Sequence, residues 1–420
     1  MLKHHRFYLN CLWLGLLFLI PLLAISLLFA QLSLDGRSQV GVLYGLVAYV
    51  WFLVVIWLSS RPSWLDRLIG LPDMYIIHGI TSLFALGLSH LHKWLLPSED
   101  LPKFLGDIAF YLFLTLIAYS LIFMAGWLTS RWVWLVNLKR FLEKLFKHEF
   151  SIWIHRLNLL AVILVYLHIW VIDYIRQATG FMVLISLYTL FALGSYAVFK
   201  LKKWQSGVLL SLEYLDDGLL KLDVKSQNLT RFKAGDFIFI RFPNQPDLAE
   251  PHPFSLACFE DYSFSLIIDQ VGDFTQALAR LDIGEGLEFT HGYGVLHRFK
   301  SSLLRQDKLV MIAGGVGIVP FLSLIEKNPR QTIHLIHTVK NGRAKIAYDW
   351  LQCLATKRPN FTYFAQEGRL DETQLKELIP LDRDNFFLIA GPMAMNRAYQ
   401  NYLVKNGIPE DRIFYESFAF

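Results

Sequence analysis

The residues best suited to chemistry in this chain are four histidines carried on two apolar stretches. His78 and His92 lie between about Met74 and Leu96, and His155 and His168 between about Phe150 and Ile175. If both stretches are helices, the 14-residue and 13-residue steps put the members of each pair about 21 Å and about 20 Å apart along the axis. Each helix then offers one histidine near each membrane face. Two such helices side by side clamp two haems, one above the other, with each iron held axially by one histidine from either helix. A lone histidine on an apolar helix is more often a hydrogen-bonded core residue, so the argument rests on four at matched depths, where ionisable groups are costly and mostly functional. At about 100° per residue a 14-residue step returns to within about 40° of one face, whereas a 13-residue step misses by about 140°. The second helix therefore requires a lateral offset of the haems or a local distortion. His90 competes with His92, which is preferred because its step keeps one face.

Composition says what must carry these residues. Of 420 residues 54% are hydrophobic and only 18% charged, with the apolar excess confined to the first half, so a membrane part precedes a soluble part. Six spans are expected: Asn10 to Ala30, Val40 to Leu58, Met74 to Leu96, Gly106 to Leu128, Phe150 to Ile175 and Phe181 to Phe199. The first is read as a retained helix, the rival being a signal peptide cleaved after Ala30. Twelve Lys and Arg residues (Lys3, Arg6, Arg61, Arg67, Arg131, Lys139, Arg140, Lys144, Lys147, Lys200, Lys202, Lys203) fall on the N-terminal side, and four (Arg37, Lys93, Lys103, Arg176) on the other. By the positive-inside rule both termini are cytoplasmic, in the plasma (inner) membrane. His78 then pairs with His155 at the inner level and His92 with His168 at the outer. Arg131 to Phe150 reads as an amphipathic helix on the inner surface. Cys11, Cys258 and Cys353 form no C-x-x-C pattern, which argues against iron–sulfur, zinc or disulfide frameworks, and a net charge of +5 gives no reason to expect nucleic-acid binding.

From about Gln205 short alternating strands appear at Leu209 to Tyr214, Leu219 to Val224, Phe237 to Phe242 and Phe264 to Ile268, as in an antiparallel barrel. From Lys308 the rhythm becomes strand, glycine loop, helix, strand, with strands at Lys308 to Ala313, Thr332 to Val339, Phe361 to Phe364 and Phe386 to Ala390. That is the pattern of a doubly wound parallel sheet that binds nucleotides. The expected architecture is a multidomain membrane protein: a six-helix transmembrane haem-binding bundle (1–204), an antiparallel β-barrel (205–303) and an α/β doubly wound nucleotide-binding domain (304–420).

Five motifs follow one another in the soluble half: His252-Pro253-Phe254-Ser255, Gly272-Asp273-Phe274-Thr275, Gly314-Gly315-Val316-Gly317-Ile318-Val319-Pro320, Gly391-Pro392-Met393, and the terminal Tyr415-Glu416-Ser417-Phe418-Ala419-Phe420. In this order they resemble the ferredoxin–NADP reductase superfamily, which implies that the barrel (205–303) is an FAD domain and the α/β domain (304–420) an NADPH-binding domain. Joined to six spans with paired histidines, the chain from about Met74 resembles the transmembrane NADPH oxidases and their relatives the ferric-chelate reductases. The resemblance implies that Ser255 hydrogen-bonds the flavin ring while Phe254 packs close to it. It implies too that Gly272, Phe274 and Thr275, ahead of a helix at Gln276 to Leu281, face the FAD pyrophosphate, although an ordinary helix start and an edge strand broken by proline are the plain alternatives. Gly314, Gly315 and Gly317, with Ile318 and Pro320, let backbone approach a dinucleotide phosphate. His337 and Lys340 sit where the family reads the adenosine ribose, and Lys340 suits a 2′-phosphate, favouring NADPH with NADH still open. Gly391, Pro392 and Met393 lie near the nicotinamide, Phe420 stacks on the flavin with Phe418 beside it, and Glu416 orients the nicotinamide.

The chain departs from the family pattern in three places. Asp269 stands where a basic residue commonly neutralises the pyrophosphate, and Arg241 is the candidate substitute. Ala390 replaces a cysteine, and His291-Gly292-Tyr293-Gly294 replaces Gly-Pro-Tyr-Gly. The resemblance implies a transmembrane oxidoreductase that takes electrons from cytosolic NADPH through FAD and two b-type haems to oxygen on the far side, giving superoxide. Arg176 is the candidate to hold the anion, as is a protonated His90. A ferric-chelate reductase with the same path is the alternative, and a membrane-anchored flavin reductase serving a cytosolic partner is a second. Membrane lipid, NADPH and oxygen or an Fe(III) chelate are the expected partners, with no obligatory protein subunit.

Overall fold

A computed structural model describes residues 11–123, 153–202, 204–216, 218–227, 232–296, 308–343 and 345–417. The surface helix expected over Arg131 to Phe150 lies outside them. The chain divides into two compact units, one holding Arg6–Pro62 and Leu71–Lys202, the other Ser63–Gly70 and the second half from Lys203.

In the first unit α1 (Cys11–Phe29), α2 (Gly36–Ser59), α4 (Leu71–Leu95), α5 (Asp100–Phe123), the helix Trp153–Trp170 and α8 (Thr179–Leu201) are each long and apolar enough to cross a membrane. Between α2 and α4 lies the short α3 (Ser63–Ile69), and between the fifth and sixth spans lies α7 (Asp173–Arg176). Two helix pairs dominate the packing: α2 runs against α4, and α5 against α6 (Asn158–Trp170). Their apolar residues, Leu46, Phe52, Leu53, Phe113 and Val162 among them, share one buried cluster. The fifth span is not one regular helix. Residues 153–156 form a turn of their own, and at Leu157 the backbone tightens, its N–H bonding to Ile154 O at 3.0 Å before the regular α6 begins. An i→i+3 bond winds the chain by more than 100° per residue. Over three residues at about 120° each this adds roughly 60° of the roughly 140° by which the regular helix misses, so His155 is turned part of the way toward the face of His168.

The second unit starts with a closed six-stranded antiparallel barrel in the order β1-β2-β5-β4-β3-β6, formed by β1 (Gln205–Asp216), β2 (Leu219–Lys225), β3 (Phe237–Arg241), β4 (His252–Phe259), β5 (Ser263–Asp269) and β6 (Gly286–Phe289). Alternation in β2 buries Leu220, Leu222 and Val224 in the barrel core beside Phe264 and Phe289. A five-stranded parallel sheet follows in the order β11-β10-β7-β8-β9, from β7 (Lys308–Gly314), β8 (Thr332–Val339), β9 (Phe361–Glu367), β10 (Phe386–Gly391) and β11 (Ile413–Ser417). The strand-type expectations correspond to observed strands. The structure adds the short β6, and it adds β11, where the sequence suggested only a terminal motif.

Helix α3 belongs to the second unit although it lies between two spans in sequence. The Arg67 guanidinium donates to both carboxylate oxygens of Asp236, at 2.5 and 2.9 Å, and to the carbonyls of Gly292 and Gly294 at 2.6 and 3.2 Å. Asp66 accepts from Gly294 N at 3.2 Å. Burial works against the charge on Arg67, but Asp236 outweighs it and raises the guanidinium pKa. Gly292 has no room for a side chain, since a Cβ there would meet the Asp236 carboxylate at 2.0 Å. Removing one partner of such a pair leaves a buried charge uncompensated. Arg67→Met is therefore expected to lower the stability of this unit by about 3–5 kcal/mol, read as a fall in the thermal midpoint of the full-length protein. Adding Asp236→Leu to that variant should restore part of the loss.

Candidate functional site

The four histidines form two pairs. The rings of His78 and His155 have their centres 5.9 Å apart, and those of His92 and His168 are 6.2 Å apart. His92, not His90, faces His168; His90 is exposed and its ring lies 6.0 Å from Phe110. Each ring is tied through Nδ1. His92 Nδ1 donates to Gly41 O at 2.8 Å and His168 Nδ1 to Pro102 O at 2.7 Å. His78 Nδ1 lies 3.2 Å from Val55 O and 3.3 Å from Ser59 Oγ, and His155 Nδ1 2.8 Å from Ser120 Oγ. Both serine hydroxyls already donate to their own helix, Ser59 to Val55 O and Ser120 to Leu116 O, so they accept from the imidazoles. All four rings thus carry the proton on Nδ1 and keep the Nε2 lone pair, which has no hydrogen-bond partner among the described residues. Two metal–imidazole bonds of about 2.0 Å in line separate ring centres by about 6 Å, close to both spacings.

His92 and His168 line a cavity of about 370 Å³ whose polar residues include Lys93, Glu99, Lys103 and Asp107. Lys93 bonds Asp107 at 2.8 Å and so links α4 to α5. Phe52 and Phe113, stacked with centres 3.9 Å apart, line the same cavity. Arg176 is engaged by Asp173 at 2.7 Å and is not among the lining residues, so the outer-loop cation expected from the sequence is absent from the cavity wall.

In the second unit the two flavin-type motifs meet. Within β4 the residues His252 to Ser255 pair with β3, while pairing with β5 starts only at Leu256, so Pro253 to Ser255 have no ladder partner on that side. Proline is tolerated at such a place because its missing N–H is not called upon. The Phe274 ring stacks on His252 at 3.8 Å and lies 6.0 Å from Phe254. The helix expected over Gln276 to Leu281 starts earlier: α9 (Asp273–Ala277) is capped by Gly272, whose N–H donates to Thr275 Oγ1 at 3.0 Å. The spacing misled because the threonine acts inside the first turn, not ahead of it.

Both Arg241, the suggested source of charge for the pyrophosphate, and Asp269, the departure that called for one, have ion-pair partners. Arg241 pairs with Glu288, its direct cross-strand neighbour, at 2.6 Å and lies over the Trp204 ring. Asp269 is hydrogen-bonded to Arg343. In the parallel sheet, Gly314 to Gly317 leave β7 by a tight turn, Gly315 with φ +55°, and enter α10 (Val319–Lys327), whose first turn contains Pro320. A Cβ on Gly317 would meet Ala390 O at 2.1 Å. That close approach joins the loop to Gly391, Pro392 and Met393 at the start of α11 (Met393–Lys405), and Ile318 in the same loop is buried.

Residues 205–286 match a family model described as FAD-binding domain, and residues 311–401 one described as Oxidoreductase NAD-binding domain. The second half is a flavin- and nicotinamide-binding oxidoreductase module. The chain is 33% identical over 133 residues to a flavohemoprotein of Pseudomonas putida, covering 28% of this chain and 34% of the relative. It is 26% identical over 233 residues to the toluate 1,2-dioxygenase electron transfer component of Pseudomonas putida, covering 50% and 66%. It thus spans between a third and two thirds of these relatives. A solved flavohemoglobin from Malassezia yamatoensis with bound FAD and heme has a TM-score of 0.51 at 17% identity, covering 92% of this chain and all of that one, a likeness of fold.

Within the module Lys340 is exposed on the loop after β8. Glu416 stands opposite Ala390 in the β10–β11 register, while Phe418 and Phe420 lie outside the described residues. His337 is fully buried: Nε2 donates to Gly315 O at 3.1 Å and Nδ1 lies 3.4 Å from Tyr363 Oη. It props the glycine turn from below, a part for which sequence spacing gave no signal, because Tyr363 belongs to a different strand. Burial depresses its pKa from 6.5 to about 4, so the ring stays neutral. Its contribution to stability is fully present above pH 6.5 and lost as pH falls toward 4, by roughly 3 kcal/mol at the limit. His337→Gln is expected to flatten that part of the stability–pH curve in urea denaturation of the full-length protein.

Proposed function

We propose that the chain is a transmembrane oxidoreductase that passes electrons from NADPH to molecular oxygen across the bilayer, NADPH and two O₂ giving NADP⁺, a proton and two superoxide ions. The observation that carries this reading is the pair of imidazole pairs, each with Nδ1 tied and ring centres 5.9 and 6.2 Å apart. That donor set suits bis-histidine b-type haem, with His78 and His155 holding one and His92 and His168 the other. When bound, FAD would supply the step from hydride to single electrons, and the haems would supply one-electron couples.

The chain's own residues do the positioning. The unladdered edge at Pro253 to Ser255 offers backbone and the Ser255 hydroxyl to a flavin ring, and the Phe254 and Phe274 rings exclude water beside it. Gly314, Gly315 and Gly317 admit a pyrophosphate, with Lys340 assigned to a 2′-phosphate. Glu416 is assigned to orient the nicotinamide and Phe420 to cover the flavin face; the register of Glu416 against Ala390, next to Gly391, supports the former. Lys93 and Lys103 supply positive charge for porphyrin carboxylates at the cavity of His92 and His168. The positive-inside count supports cytoplasmic termini, and six helices of spanning length support membrane insertion.

The test is a reduced-minus-oxidised spectrum of purified full-length protein supplied with FAD and haem, followed by NADPH-driven superoxide and Fe(III)-chelate assays. A sharp b-type α-band, with superoxide faster than chelate reduction, is expected. His92→Leu and His168→Leu should each abolish acceptor reduction while leaving flavin reduction by NADPH intact. A protein without haem, or one in which these variants still reduce the acceptor, overturns the proposal; faster chelate reduction redirects it to a ferric reductase.

A further inference from the structure

The two helices that back the histidines share a repeat that the histidines alone do not reveal. On α2, Gly41 O receives His92 and the residue four later is Gly45; Val55 O lies beside His78 and the residue four later is Ser59. On α5, Pro102 O receives His168 and the residue four later is Gly106; Leu116 O receives the Ser120 hydroxyl that holds His155. Gly45 to Ser59 and Gly106 to Ser120 are both 14-residue steps, the same step that separates His78 from His92. In an α-helix the carbonyl of residue i bonds the N–H of residue i+4. A Cβ at i+4 therefore stands beside that oxygen and crowds a second donor arriving from a neighbouring helix: with Ser59 at i+4 His78 Nδ1 lies 3.2 Å from Val55 O, whereas with glycine at i+4 the distances are 2.8 and 2.7 Å.

Both glycines meet that condition. A Cβ on Gly45 would lie 2.5 Å from His92 Nδ1, and one on Gly106 would lie 3.1 Å from His168 Nδ1. Among the described glycines no other has one of the four histidines as the nearest neighbour of its Cβ. At the other level serine replaces glycine, and its hydroxyl accepts from the imidazole while donating to the carbonyl four residues back.

We propose that Gly45 and Gly106 are positioning residues for His92 and His168: the missing side chain opens the second lone pair of Gly41 O and Pro102 O, which fixes each ring with Nε2 turned to the metal. This rests on the reading of His92 and His168 as axial ligands. It makes the two levels chemically distinct: His92 and His168 are held by backbone carbonyls alone, whereas a serine hydroxyl holds His155 and shares His78 with Val55 O.

The test uses full-length Gly45→Ala, Gly106→Ala and, as a control on the same helix as His92, Gly87→Ala, which meets no atom within 4 Å. Haem per chain is measured by pyridine haemochrome, ligand geometry by electron paramagnetic resonance, and folding by flavin occupancy and size exclusion. Gly45→Ala is expected to retain one haem of two, losing the same spectral component as His92→Leu. Gly106→Ala, with the milder contact, should keep both with a shifted low-spin signal for one, and Gly87→Ala should match wild type. Should Gly45→Ala fail the folding controls, Gly106→Ala decides alone, an unshifted signal overturning the inference. Two haems with wild-type signals in Gly45→Ala also overturn it, whereas a wild-type protein without haem overturns the underlying reading instead.

Discussion

Everything in the helical unit depends on one hydrogen bond made four times, from an imidazole Nδ1 to an acceptor on the neighbouring helix. It removes the freedom of the ring to rotate, selects the tautomer and leaves Nε2 as the only lone pair. A histidine without that partner could place either nitrogen toward its counterpart. The packing of α2 on α4 and of α5 on α6 is therefore not merely a way of burying apolar surface. It sets the height of the acceptor opposite each ring.

The module of the second half uses a different principle, the deliberate withholding of structure. β4 loses its partner on one side where Pro253 stands, and the loop after β7 loses its side chains at the half-buried Gly314 and Gly315. In both places backbone is left accessible within a scaffold otherwise closed by a barrel ladder or by a parallel sheet with buried faces. His337 shows how such a strained turn is supported, by a neutral ring that bonds the carbonyl of a glycine at positive φ.

What the sequence disclosed follows from the range of the forces involved. Hydropathy over about 20 residues locates spans, and glycine or proline punctuation locates the motifs, so the bundle, the barrel and the sheet were legible. Interactions between residues distant in the chain were not. Arg241 looked like a spare cation until Glu288 appeared opposite it, and Asp269 looked like an anomaly until Arg343 appeared beside it. The 13-residue step between His155 and His168 showed that something had to give, but not that a tightened turn at Leu157 would supply part of it. The supporting residues Ser59 and Ser120 were invisible because serine in an apolar helix has many ordinary reasons to be there.

The anchoring of α3 has a practical consequence for anyone who divides this protein. Cutting at the apparent boundary near residue 204 to obtain the second half alone would discard Arg67, which lies in sequence between two long apolar helices, and so strip Asp236 of its Arg67 countercharge. A domain border drawn by hydropathy alone runs through an ion pair, and a fragment that respects the folded unit would need the peptide from Ser63 to Gly70 supplied in trans or grafted on.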